Sequence, residues 1–155
     1  MRKVLTLLLI FCFWLGYSCS IQAQHISQGN EFEALMQKIR QDFAQNPDIT
    51  QGLEKYNVQD GSFTDVDYAS IQRTNWPPLV HINRISDFVF AYTNPENRYY
   101  QNEDLYNKIE KGLEYWHERN PWCHNWWYNQ IAEPQALGVL LIQMRTGKKQ
   151  LPHEL

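Results

Sequence analysis

The chain has 155 residues, with 14 basic and 17 acidic side chains and a formal net charge of −3 at pH 7. That length suits one domain, and the negative balance excludes the broad basic footprint of non-specific nucleic-acid binding. It also gives no global attraction for an acidic polymer, so a substrate of that kind would need locally placed basic residues.

The N-terminal stretch MRKVLTLLLIFCFWLGYSCSIQAQ has a basic start (Arg2, Lys3), an apolar run from Val4 to about Leu15, and small residues beyond it. This is the layout of a secretory signal peptide covering residues 1–23, with cleavage after Ala23. The run is too short for an ordinary bilayer span, which needs about 20 apolar residues. A rival reading ends a lipoprotein signal at Cys19, where Tyr17 is an awkward neighbour. The expectation is a secreted or periplasmic chain, with no membrane contact unless Cys19 carries a lipid anchor. Removing the leader takes away two of the fourteen basic residues and none of the seventeen acids, which brings the charge of residues 24–155 to −5.

Cys12 and Cys19 fall in the leader, which leaves Cys123, and one cysteine makes no internal disulfide. Its neighbour His124 invites a metal or nucleophile reading. A zinc site needs three or four ligands at suitable spacing, and no second Cys/His pair exists. Cys123 is expected to be a buried or half-buried free thiol, and no cofactor is expected.

Four helices follow in chain order. NEFEALMQKIRQDF opens at Asn30 as an N-cap, with Glu33 in a variant of the capping box, and lines up Phe32, Leu35, Met36, Ile39 and Phe43. PPLVHINRISDFVFAY begins at its prolines and places Leu79, Ile82, Ile85, Val89 and Tyr92 on one face. NEDLYNKIEKGLEYWHERN has Asn102 as cap, acids in its first turn, and Leu105, Ile109, Leu113 and Trp116 in line. PQALGVLLIQMR has Pro134 at its first position and Gly147 just past its end. It is apolar nearly all round, the pattern of a helix buried among others.

Between the first two helices VQDGSFTDVDYASIQRTNWPP is turn-rich, and TNPENRYYQ is a loop between the second and third. No strand pairs alternate clearly and no internal repeat recurs. The residues therefore read as all-α, with antiparallel helices joined by long loops. The carboxylates of Asp60, Asp65 and Asp67 do not make the clustered ligand set of a calcium loop.

The segment NPWCHNWWYNQIAE crowds Trp122, Trp126 and Trp127 among polar residues. Pro134 biases Glu133 away from helical geometry, so CHNWWYNQIAE is expected to be an ordered loop. Adjacent Trp126 and Trp127 do not easily share one core direction, so at least one should show a face outward. Two readings are open. The rings are core filler, or they are a platform on which the C–H face of a sugar packs while Asn125 and Asn129 meet its hydroxyls and carboxylates.

The motifs DGS…D.DY (from Asp60), W.P..H..R (Trp76 to Arg84), L.YW (Leu113 to Trp116) and NWW…I..P (Asn125 to Pro134) resemble the N-terminal part of polysaccharide lyase family 8. The resemblance covers roughly Gly61 to Arg145. It implies the N-terminal part of an incomplete (α/α) toroid of antiparallel helix pairs, whose central cleft holds a polysaccharide substrate of acidic character. It also implies that Trp126 and Trp127, with Asn125 beside them, bind that substrate. Where hyaluronate-type members carry an arginine just after the proline, this chain has Gln135. The family's catalytic asparagine, histidine and tyrosine come from further along the toroid than GKKQLPHEL, so no catalytic residue is assigned here.

His124, Asn125 and Tyr128 imitate that trio in residue type. Elimination at a uronic acid needs a group that neutralises the carboxylate and a base that takes the C5 proton. These three nevertheless belong to the aromatic segment, not to the family's catalytic positions. Arg84 is either a cation facing an acidic sugar or a salt-bridged arginine. Three functions remain: the N-terminal part of a lyase, a glycan-binding helical module that does not cut, or a secreted helical interaction module.

Overall fold

The computed structural model describes residues 30–153. The expected leader at residues 1–23, with Cys19 and the cleavage site, lies outside the described residues. Backbone contacts divide the chain between Ile39 and Arg40 into two compact units. Residues 30–42 form helix α1. Asn30 is already helical there and does not cap it. In the first unit Met36 is buried while Phe32 and Leu35 are exposed.

The second unit holds α2 (Thr50–Lys55), α3 (Leu79–Thr93), α4 (Glu103–Arg119) and α5 (Glu133–Met144). Among its described residues there is no strand, only an isolated antiparallel bridge between Tyr56 and Phe63. That bridge closes a turn at Gly61, whose φ of 86° a side chain rarely adopts. The short α2 has no counterpart in the sequence expectations.

α3 buries Ile82, Ile85, Phe88, Val89, Ala91 and Tyr92, which includes most of its expected apolar face. α4 starts where Asn102 Oδ1 accepts from the Leu105 N–H at 2.9 Å. Glu103 and Asp104 follow in the first turn, with His117 and Arg119 in the last. Both ends therefore carry charges that suit the helix dipole. Its face of Leu105, Ile109, Leu113 and Trp116 is buried.

Side-chain pairs fix the directions of the helices. Tyr92, late in α3, meets Tyr106, early in α4, at 5.9 Å. His81, early in α3, stacks on Trp116, late in α4. The two helices are antiparallel, and the missing Cβ of Gly112 lets Ile85 approach closely. α5 runs back alongside: Glu133 at its start accepts from Trp116 Nε1 at 2.9 Å, and Gly147 beyond its end lies against Tyr92. Past α5, the Tyr106 hydroxyl donates to Gln150 O at 2.9 Å.

Two expectations need correction. The segment before Pro134 is not a loop: helix begins at Trp126, passes through a π turn at Tyr128–Ala132 and continues into α5. Glu133 has helical dihedrals of −66° and −52°. A proline inside an α-helix clashes with the carbonyl four residues back, and the wider π turn relieves this, with the Glu133 N–H bonding to Tyr128 O. α5 is also not buried on all sides. Only Leu140, Gln143 and Met144 are buried, and Leu141 is 44% exposed. Within this unit α5 packs chiefly on α3, and part of its apolar circumference faces solvent.

Candidate functional site

Loop 120–125 and the first turn of the helix that follows carry the aromatic segment. Asn120 ends α4 in left-handed geometry, φ 42°, and the loop is then tied down from within. Cys123 is buried, and Asn129 clamps its backbone, accepting from Cys123 N at 2.9 Å and donating to Cys123 O at 2.7 Å. Cys123 Sγ lies 3.4 Å from Gln72 O. The free thiol is thus a buried structural group, as expected from its type.

Asn125 is the N-cap of the helix. Its Oδ1 accepts from Trp127 N at 3.1 Å, and its Nδ2 donates to Arg73 O at 3.0 Å. That donation pins the 70–76 loop against the aromatic segment and leaves one amide hydrogen for a ligand. Asn129, read as a second sugar-facing amide, spends its oxygen and one amide hydrogen on Cys123 and, like Asn125, keeps one hydrogen.

The tryptophans divide by exposure. Trp122 is 69% exposed, Trp126 61% and Trp127 45%, whereas Trp76 and Trp116 are buried. The helix register explains this. Tyr128 and Leu140 are twelve positions apart, so at ~100° per residue an unbroken α-helix would splay them by about 120°. One extra residue taken up in the π turn brings them within about 20° of each other, both facing inward. The same turn leaves Trp126 and Trp127 about 140° and about 120° from that inward direction. A regular α-helix would instead swing Trp126 to within about 40° of it.

Behind the exposed pair runs a ladder of rings. Trp127 crosses Tyr128 at 5.2 Å and 83°. Tyr128 lies 5.8 Å from Trp76, Trp76 lies 6.2 Å from Trp116, and Trp116 stacks on His81. The residues expected to bind substrate include neither Trp122, counted only among the crowded rings, nor Tyr128, weighed only as an imitation of a catalytic tyrosine. The one signal for Tyr128 is its twelve-residue spacing from Leu140.

His124, Asn125 and Tyr128 do not converge on an open site. His124 is exposed, Asn125 caps the helix, and the Tyr128 hydroxyl accepts from the Trp76 N–H at 3.4 Å. Arg84 is held by Asp65, with Nη2 to Oδ2 at 2.8 Å, and lies 5.0 Å from the Phe63 ring centre. It takes the salt-bridged alternative. The three aspartates are spoken for locally: Asp65 by Arg84, Asp60 by the Ser62 N–H and hydroxyl, and Asp67 by the Ala69 N–H.

Between α4 and α5, a groove of about 180 Å³ is lined by Leu113, Trp116, His117, Glu133, Leu137 and Leu141, among others. Burial pushes the Glu133 carboxyl above its usual range, against the hydrogen bond from Trp116. Among the described residues no helix is long and apolar enough to cross a membrane.

A family model described as polysaccharide lyase family 8, N-terminal α-helical domain, matches residues 21–154. Chondroitinase-AC of Pedobacter heparinus is 42% identical over 96 residues, which is 62% of this chain and 14% of that protein. A solved structure of chondroitinase AC lyase, from a set of enzyme–oligosaccharide complexes, matches with a TM-score of 0.74 at 34% identity. It covers 79% of this chain and 19% of that one. The chain thus spans less than a fifth of either relative. Its all-α architecture is the N-terminal portion of the expected helical toroid.

Proposed function

The chain belongs to polysaccharide lyase family 8, and from that premise we propose that it is the N-terminal part of an exported lyase that cleaves uronate-containing glycans by β-elimination. Its own share of that work is to hold the polymer. Trp126 and Trp127 form the sugar platform, with Trp122 on the same loop and the remaining amide hydrogen of Asn125 at its edge. The observation that carries this reading is the outward turn of both paired tryptophans. Two indoles left this exposed forgo the burial that usually retains tryptophan in a fold. A polymer laid across them restores it: the C–H face of a sugar packs on the ring, and bound water leaves. The similarity to chondroitinases AC supports a chondroitin-like glycan.

The same reading gives these described residues no chemistry of their own. Elimination needs a base with free access to the C5 proton and a partner for the carboxylate. Here the asparagine and tyrosine that imitate such a set are already engaged, and the histidine stands exposed on the loop. Incubation of the 155-residue chain with chondroitin should give no rise in ultraviolet absorbance from unsaturated uronate. A robust rise that survives repurification would overturn this and restore His124 and Tyr128 as candidates. Binding is the positive test. Trp126→Ala and Trp127→Ala should each weaken glycan affinity by about 1–3 kcal/mol, by analogy with bases stacked on aromatic rings, while the melting temperature changes little. Unchanged binding with a collapsed melting temperature in both variants would end the platform idea. Export is tested at the N-terminus of protein recovered outside the cytoplasm, which should begin at Gln24.

A further inference from the structure

We propose that Tyr128 is a positioning residue for glycan binding, holding the indole of Trp127 in the orientation that meets a sugar. The inference rests on the platform reading and adds which exposed ring is ordered in advance, and by what. Among the described residues Trp122 and Trp126 make no ring–ring contact, whereas Trp127 crosses Tyr128 at 5.2 Å and 83°.

Tyr128 is itself held from behind. Its ring lies 5.8 Å from that of Trp76, and its hydroxyl accepts from the Trp76 N–H at 3.4 Å. Trp76 is buried, donates its own indole N–H to Ser70 O at 3.2 Å and leans on Trp116. The support therefore runs from the core, through Tyr128, to the surface. The π turn makes it work, because in a regular helix Tyr128 would swing outward and leave Trp127 without it. A ring already ordered loses less rotational freedom when a ligand arrives, so the buttress acts on affinity.

The test is a double-mutant cycle in the 155-residue chain: Tyr128→Leu, Trp127→Ala and both together. Binding of an unsulfated chondroitin octasaccharide is measured by calorimetry. Tyr128→Leu should weaken binding about threefold to tenfold. In the Trp127→Ala background it should change binding no further, because Tyr128 acts through that ring. Tyr128→Phe, which keeps the ring and loses the hydroxyl, should retain affinity close to that of the unaltered chain. Should Tyr128→Leu fail to fold, Tyr128→Met, unbranched and able to adapt to the gap without a ring, takes its place in the cycle.

Additive losses from the two sites, or unweakened binding in Tyr128→Leu, would overturn the inference. The outcomes also separate the two levels of argument. Unchanged affinity in Trp127→Ala sinks the platform reading itself. Weakened Trp127→Ala beside an unaffected Tyr128→Leu sinks only the buttress. Absence of binding by the unaltered chain counts against both.

Discussion

His81 has no exposed surface and lies between two rings, stacked on Tyr115 and on Trp116. Its Nε2 faces Gly112 O at 2.8 Å, and that carbonyl only accepts, so Nε2 carries the proton. Nδ1 then accepts from the Tyr68 hydroxyl at 2.8 Å, while the Tyr68 oxygen accepts from Phe63 N. This network is complete only for the neutral ring. A second proton on Nδ1 would point at a hydroxyl that must turn round to accept it. Burial is the main reason the His81 pKa falls to about 4 from an ordinary 6.5, with the Arg84 charge acting in the same direction.

The native state therefore binds fewer protons than the unfolded chain between about pH 6.5 and about pH 4, and stability rises with pH across that window. The contribution is complete above pH 6.5 and is lost as pH falls toward 4. At ~1.4 kcal/mol per tenfold step, full protonation costs about 3 kcal/mol, a large fraction of the roughly 5–15 kcal/mol that holds a domain folded. Other groups titrate differently. Burial raises Glu133 and Asp87, which therefore favour the native state as pH falls. Asp65, held low by Arg84, loses its contribution only in the acid range below.

The clean measurement is thus a difference between the unaltered chain and His81→Gln, by urea unfolding near pH 7 and near pH 4.5. The unaltered chain should lose about 2–3 kcal/mol more than the variant over that interval. Parallel pH profiles would refute the reasoning, because they would mean His81 titrates alike in both states.

Trp116→Ala should cost about 3–5 kcal/mol in urea unfolding, as removal of a buried tryptophan does, whereas Trp122→Ala should stay within about 0.5 kcal/mol. Gly61→Ala should destabilise by at least about 2 kcal/mol, because the turn has φ 86° and a Cβ there would collide with the Lys111 carbonyl; an unchanged unfolding midpoint would show that the turn relaxes. The exposed apolar side of α5 should drive association of the isolated chain, seen as a concentration-dependent mass in sedimentation that Leu141→Lys reduces.

α3 and α4 can be read from the chain because their signals are local: a proline pair opens one, and Asn102 followed by two acids opens the other. Six-residue α2 leaves no such mark, since Gly52 lowers its propensity and is there to admit Phe88. That at least one of the paired tryptophans faces outward is legible from crowding alone, as two adjacent indoles do not share one inward direction; that both do is not. The role of Asn125 was not, because a side chain is recognised as an N-cap only once the helix is known to start at the next residue. The misreading of the segment before Pro134 as a loop, which also hid the cap role of Asn125, has one cause. The bias of a residue before proline against helical geometry is a local preference that the helix begun at Trp126 overrides at Glu133. The further clash with the carbonyl four positions back lapses when the turn widens. What widens this turn is tertiary. Tyr128 must reach Trp76 while Leu140 reaches the core, twelve positions later where an α-helix wants eleven. The surplus residue is absorbed beside Pro134, and its consequence is to turn Trp126 away from the interior, while Trp127 faces outward with or without it. The outward direction of Trp126 thus follows from inward packing a few residues further along, which no local pattern around the tryptophans records.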